Sequence, residues 1–190
     1  MKKETIIAKN QKHLKKLIKK EINLHGNECD LNFIDTSIIT DMSYIFESSQ
    51  FNGNISGWNT SKVTNMSSMF ANSKFNGDIS GWNTYCVVDM YCMFTSSNFN
   101  GDISAWDVSN VTDMAYMFYA SQFNGDTSNW NTINVQSLRN IFYYCNAPLP
   151  YWAKIANMQD RVVAIDVYQN KKKLEQLITQ SDKSICIIKI

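Results

Sequence analysis

Apolar residues recur along most of the chain at a fixed interval of 24 residues, separated by Ser, Asn, Thr and Asp. Four stretches align without gaps: 51–74, 75–98, 99–122 and 123–146. A diverged stretch, 27–50, precedes them in the same register but lacks the first Phe, the Gly and the Trp. With Phe51 as position 1 of a unit, each recurring position defines a column. Column 1 is Phe51, Phe75, Phe99 and Phe123, and column 8 is Ile34, Trp58, Trp82, Trp106 and Trp130. Column 13 is Ile or Val, column 16 Met or Leu, and columns 19 and 20 are Met or Ile followed by Phe. Columns 13, 16 and 20 are spaced as one face of a short helix. Thr40, Thr64 and Thr112 stand just before these faces, where a helix N-cap is expected. Columns 5 to 8 (Ile-Ser-Gly-Trp in two units) read as a very short strand. The Phe-Asn-Gly-Asp segments supply turn chemistry, with Gly free to take positive φ and Asp free to form Asx-turns.

One such unit cannot bury its apolar face alone, so the pattern predicts side-by-side packing into a continuous Phe, Trp and Met core. The expected fold is an α/β repeat: a leucine-rich-repeat-like solenoid of five 24-residue units, each a short parallel strand plus a short helix. Strands about 4.8 Å apart would make five units roughly 25 Å long. Residues 1–26 form an expected N-terminal β-α cap, with a strand and then a helix over 5–18. Residues 147–190 form an expected C-terminal β-α-β cap, set off by Pro148, Pro150 and Trp152. Within it, 165–178 repeats the pattern of 5–18 at an offset of 160, and 184–190 reads as a last apolar strand. That strand is expected inside the cap; at a sheet edge it would be a dimerisation site.

The pattern W-[ND]-[TV]-S-x-V-T-[ND]-M-x-x-M-F resembles the repeat of the BspA-like leucine-rich-repeat surface proteins and related mycoplasma lipoproteins. The resemblance covers 27–146. It implies the solenoid fold and adhesion or interaction at a cell surface. No secretion signal or lipobox cysteine is read here, so the fold is expected to carry over and the location is not. The five cysteines are an odd count without a C-x-x-C pair, which fits a reducing compartment. No apolar run is long enough to span a bilayer.

Charge is segregated. Residues 1–26 carry eight Lys and two Glu, residues 27–146 three basic and eleven acidic residues, and residues 147–190 seven basic and four acidic. An acidic middle between basic ends suits a basic partner or the basic end of another copy. The Lys-rich N-terminal helix has no aromatic interleaving, so nucleic acid is not expected as a partner. The only two histidines, His13 and His25, lie outside the repeats, and no metal-ligand spacing, phosphate loop or nucleophile elbow occurs. Asp78, Asp102 and Asp126 share a column and read as aligned Asx-turns rather than a cation site. No cofactor, metal or enzymatic activity is expected.

Positions that vary between units are released from core duty. They hold Tyr85, Cys86, Tyr91, Cys92, Tyr116, Tyr119, Ile133, Arg139, Tyr143 and Tyr144. Tyr is a frequent interface anchor, so Tyr91, Tyr116, Tyr119, Arg139, Tyr143 and Tyr144 are the candidate contact residues for another protein. Two alternatives stay open: a structural protein that self-associates through its caps or last strand, and a carbohydrate-binding adhesin using the Trp column, which requires exposed rings.

Overall fold

The structure is a computed structural model that describes residues 3–155 and eight residues between Asp160 and Glu175. Strand β1 (Ile6–Ile7) is followed by helix α1 (Gln11–His25) and strand β2 (Ile34–Asp35), which pairs in parallel with β1. The units follow, and a 3-10 helix (Tyr151–Lys154) closes the continuously described chain. Helix α1 begins where the Asn10 side chain accepts the His13 N–H at 2.9 Å, while the His13 ring Nδ1 accepts the Lys9 N–H at 3.1 Å. It ends at Gly26, whose φ of 81° suits glycine and whose N–H reaches the Ile22 carbonyl. Its buried side, Leu14 and Ile18, faces the first unit. Gln11 Nε2 reaches the Ser43 carbonyl at 2.8 Å, and Lys15 lies over the Tyr44 ring.

Consecutive units lie in parallel register, one backbone bridge per pair at column 15: Asp41 to Asn65, Asn65 to Asp89, Asp89 to Asp113 and Asp113 to Ser137. In every unit but the last, the N–H groups of columns 16, 18, 20 and 22 donate to the next unit. In the unit 51–74 these are Met66 to the Asp89 carbonyl, Ser68 to Tyr91, Phe70 to Met93 and Asn72 to Thr95, at 2.8–2.9 Å. The N–H groups between them turn back locally, Met69 to Met66, Ala71 to Ser68 and Ser73 to Phe70.

This pattern replaces the short helix expected over columns 13 to 20. A helix sends each N–H four residues back along its own chain, whereas here every second N–H leaves the unit. Columns 18 and 22 also have left-handed backbone, with φ of 51–59° at Tyr44, Ser48, Ser68, Asn72, Cys92, Ser96, Tyr116, Ala120, Asn140 and Tyr144. The recurrent apolar spacing of three has another origin. Trp58 N–H bonds the Ile55 carbonyl, Val63 that of Thr60, and Met69 that of Met66. Columns 5 and 8, 10 and 13, and 16 and 19 are the two ends of tight turns. The ends point inward and the corners outward. Thr40, Thr64 and Thr112 cap nothing; the Thr64 and Thr112 hydroxyls bond the Thr40 and Val88 carbonyls of the preceding unit. The strand expected at columns 5 to 8 is likewise a turn, bounded by an isolated bridge at Asn54 in the first full unit.

The turns that begin at columns 5, 10 and 16 are each preceded by an Asx acceptor, except at column 15 of the last unit, where Ser137 stands. In the unit 75–98 the side chains of Asp78, Asn83 and Asp89 accept the N–H of Ser80, Tyr85 and Tyr91 at 2.8–3.1 Å. Nine of the eleven acidic residues of 27–146 serve in this way, all except Glu28 and Glu47. Much of the acidity of the repeats is therefore turn chemistry.

The core runs through all units. The column 20 rings Phe46, Phe70, Phe94, Phe118 and Phe142 stack at 5.3–5.7 Å, and those of column 1 at 6.2–6.4 Å. Each Trp indole N–H donates to a carbonyl of the unit before it, as Trp106 does to Ile79 at 3.1 Å. Trp152 extends this column beyond the repeats: it stacks on Trp130 at 6.3 Å and donates to the Thr127 carbonyl at 3.0 Å. The glycines of column 3 have ordinary negative φ, contrary to the positive φ expected of them. They are small for another reason. A Cβ on Gly77 or Gly101 would lie 2.9 Å from the Phe ring two residues before it.

Beyond Ile155 the described residues are helical, Val167 and Tyr168 among them, where the expected recurrence of the 5–18 pattern begins with a strand. Strand β1 owes its extended form to the β2 backbone beside it; a helix satisfies its own N–H groups without such a partner. The expected strand at 184–190 lies outside the described residues.

Candidate functional site

The six varied residues come from three successive units and meet on one outward face. Tyr91 contacts Tyr116 edge to face at 6.1 Å, and Tyr116 contacts Tyr119 at 5.8 Å. Tyr119 stacks on Tyr143 at 5.8 Å and meets Tyr144 at 6.0 Å, and Tyr143 and Tyr144 lie 4.2 Å apart. The Arg139 guanidinium carbon sits 5.7 Å from the Tyr116 ring centre. Tyr143 and Tyr144 are 51% and 74% exposed, and Tyr116 and Tyr119 are half-buried.

The backbone explains why these side chains converge. Arg139 and Tyr91 occupy column 17, Tyr116 column 18, Tyr119 and Tyr143 column 21, and Tyr144 column 22. Columns 16, 19 and 20 between them point into the core; at the other columns small residues such as Ser67 and Ala115 are buried, while Tyr91, Tyr143 and Tyr144 are exposed. The lateral hydrogen bonds set one unit beside the next and bring rings about 24 residues apart into contact. Tyr116 and Tyr144 hold left-handed backbone, at φ of 59° and 58°, a costly conformation for a bulky residue held here by the ladder. Tyr44 has the same conformation at the same column in the first unit, under Lys15. In the sequence Tyr44 stands alone beside the cap, two units from Tyr91, so its place in the pattern is not legible there.

Hydrogen bonds and burial set the ionisation of the face, with Asp89 and Asp113 at its Tyr91 end and Arg139 over Tyr116. The Tyr91 phenol is held above its ordinary range by its bond to the Cys92 side chain, with Tyr116 and Asp113 adding to the effect. Burial pushes the Asp89 carboxyl up; the Tyr91 N–H opposes this and the Asp113 carboxylate adds to it. The Tyr143 hydroxyl donates to that of Tyr144 at 3.4 Å, which raises its own range.

Other candidate chemistry is placed elsewhere. The Trp side chains are at most 4% exposed. Asp78 and Asp102 sit in their Asx-turns, held below the usual carboxylate range first by the N–H of Ser80 and Ser104. Among the described residues no group of three or more His, Cys, Asp or Glu could hold a metal, and no helix is long and apolar enough to cross a membrane. Cys29, Cys86, Cys92 and Cys145 are free.

No curated protein and no solved structure matches the chain. A family model described as "Mycoplasma protein of unknown function, DUF285" matches it over two overlapping segments, 12–119 and 95–181. The two matches take in the repeats and most of the flanking sequence, and the chain therefore belongs to this family of mycoplasma repeat proteins.

Proposed function

We propose that the five units form a solenoid of the BspA-like kind and that the protein is a non-enzymatic interaction module whose tyrosine face contacts another protein. One observation carries this reading. The repeated columns are consumed by the core, while the varied ones gather five tyrosines and an arginine into a single partly exposed set of ring contacts. Tyr presents a large contact area at small entropic cost, and Arg with Tyr is a frequent anchor pair. The cell-surface role implied by the resemblance is compatible with this face and is not required by it.

Affinity capture from a lysate of the source organism, followed by mass spectrometry, tests the proposal. The chain carrying Tyr116→Ala, Tyr119→Ala and Tyr143→Ala is expected to lose the partners held by the unaltered chain. Unchanged capture overturns it. A second reading, self-association, is favoured by the last unit: the N–H groups of Leu138, Asn140, Phe142 and Tyr144 find no partner among the described residues. Light scattering at low salt and high concentration separates the two, because a monomer removes the second. A sugar platform built on the Trp column is not supported, since the rings are buried and their N–H groups engaged.

A further inference from the structure

The chemistry of the partner can be read from what the chain itself places on its tyrosines. Column 18 carries two of them, Tyr44 and Tyr116, three units apart. Each has a cation over its ring: Lys15 Nζ lies 6.0 Å from the centre of Tyr44, and the Arg139 guanidinium 5.7 Å from that of Tyr116. The two cations come from unrelated places, one from helix α1 and one from the last unit. Both distances lie within the reach at which a ring face attracts a cation. Among the described residues no cation covers Tyr91, Tyr119, Tyr143 or Tyr144.

The surrounding field points the same way. Residues 27–146 hold three basic residues, Lys62, Lys74 and Arg139, against eleven acidic ones. Asp89 and Asp113 stand in column 15 beside the face, and the Asp113 carboxylate acts on Tyr91. An anionic ligand would meet repulsion here. A neutral one would leave the acidic field unused. A guanidinium or ammonium is attracted by the ring faces and by the net negative charge of the repeats, and keeps part of its hydration at the exposed rings.

We propose that the uncovered rings of Tyr119, Tyr143 and Tyr144, carried on a net acidic stretch of chain, seat Lys and Arg side chains of a basic segment of the partner protein. The inference rests on the interaction reading above and narrows it: the partner contributes cations, and the tyrosines act through their ring faces. Each ring is expected to contribute about a two- to fivefold gain in affinity.

The test uses the full chain and a fluorescent ten-residue peptide of Arg and Lys alternating with Gly and Ser. A second peptide has every Arg and Lys replaced by Glu. Anisotropy is read at fixed physiological salt, and thermal melting confirms that each variant folds. The cationic peptide is expected to bind and the Glu peptide not to bind. Replacing Tyr119, Tyr143 and Tyr144 together by Phe, which keeps the ring faces, should leave affinity within about twofold. Replacing all three by Leu should lower it about tenfold or more. Equal binding by the Leu variant overturns the inference, because the field alone would then be responsible. Absence of cationic-peptide binding also overturns it, and leaves the interaction reading intact if capture still depends on the tyrosines. Loss of that dependence instead removes the interaction reading itself.

Discussion

At the residue scale, one motif recurs with different consequences. Asp78, Asp89 and Asp102 each accept the N–H two residues on. At Asp78 and Asp102 that bond dominates and the carboxyl lies below its ordinary range. At Asp89 burial dominates, with the Asp113 carboxylate adding to it, and the carboxyl lies above. The signs for stability are opposite. A lowered carboxyl contributes stability above the unfolded range that is lost as pH falls through the folded one; a raised carboxyl costs stability as pH rises through its folded range. The unit 51–74 already uses Asn at both positions, Asn54 and Asn65, in the same turns. Asp89→Asn is therefore expected to raise the melting temperature at neutral pH, and Asp78→Asn to lower it slightly. Both differences should shrink in acid. Melting curves across pH check this, and a shift of the same sign for both variants would refute the assignment.

At the element scale, the unit is built from turns whose ends face inward, and its glycines report two different constraints. At Gly101 a Cβ would meet the Phe99 ring at 2.9 Å, and that ring is held between Phe75 and Phe123 at 6.3 and 6.4 Å. At Gly81 a Cβ meets nothing within 4 Å. Gly101→Ala is expected to cost about 1–3 kcal/mol through overpacking. Gly81→Ala should be neutral or stabilising by about 0.4–1 kcal/mol through the unfolded chain. Denaturant titration of the two separates them, and equal costs would show that the Phe column yields easily. The helix expectation failed at this same scale. Spacings of three and four among Val63, Met66 and Phe70 describe a helix face and also the ends of successive tight turns. Of the left-handed residues, Ser68 carries no warning in its identity, and Asn72 a weak one, since Asn enters that region more readily than other non-Gly residues.

At the scale of the whole molecule, the protein is a row of like units with unlike ends. Helix α1 and strand β1 cover the first unit, and Trp152 continues the Trp column past the last. All five Trp are enclosed, so tryptophan emission should be blue-shifted and resist quenching by iodide until cooperative unfolding. Quenching under native conditions would contradict the packing and revive the sugar-platform reading. The outward face depends on this same alignment, because Tyr91, Tyr116 and Tyr143 belong to three different units.

The sequence alone determined the 24-residue register, the residues that line the core, the N-terminal strand and helix, and the set of varied positions holding the tyrosines. These are legible because a period and a burial preference leave their mark on residue identity. The conformation of the unit and the contacts among the tyrosines were decided only by the tertiary structure. The N–H of Met66, Ser68, Phe70 and Asn72 bond to residues 23 positions away, and that choice between local and lateral hydrogen bonding is what makes turns here instead of helix. The same lateral bonds set one unit against the next, and so place Tyr119 on Tyr143 and Arg139 on Tyr116.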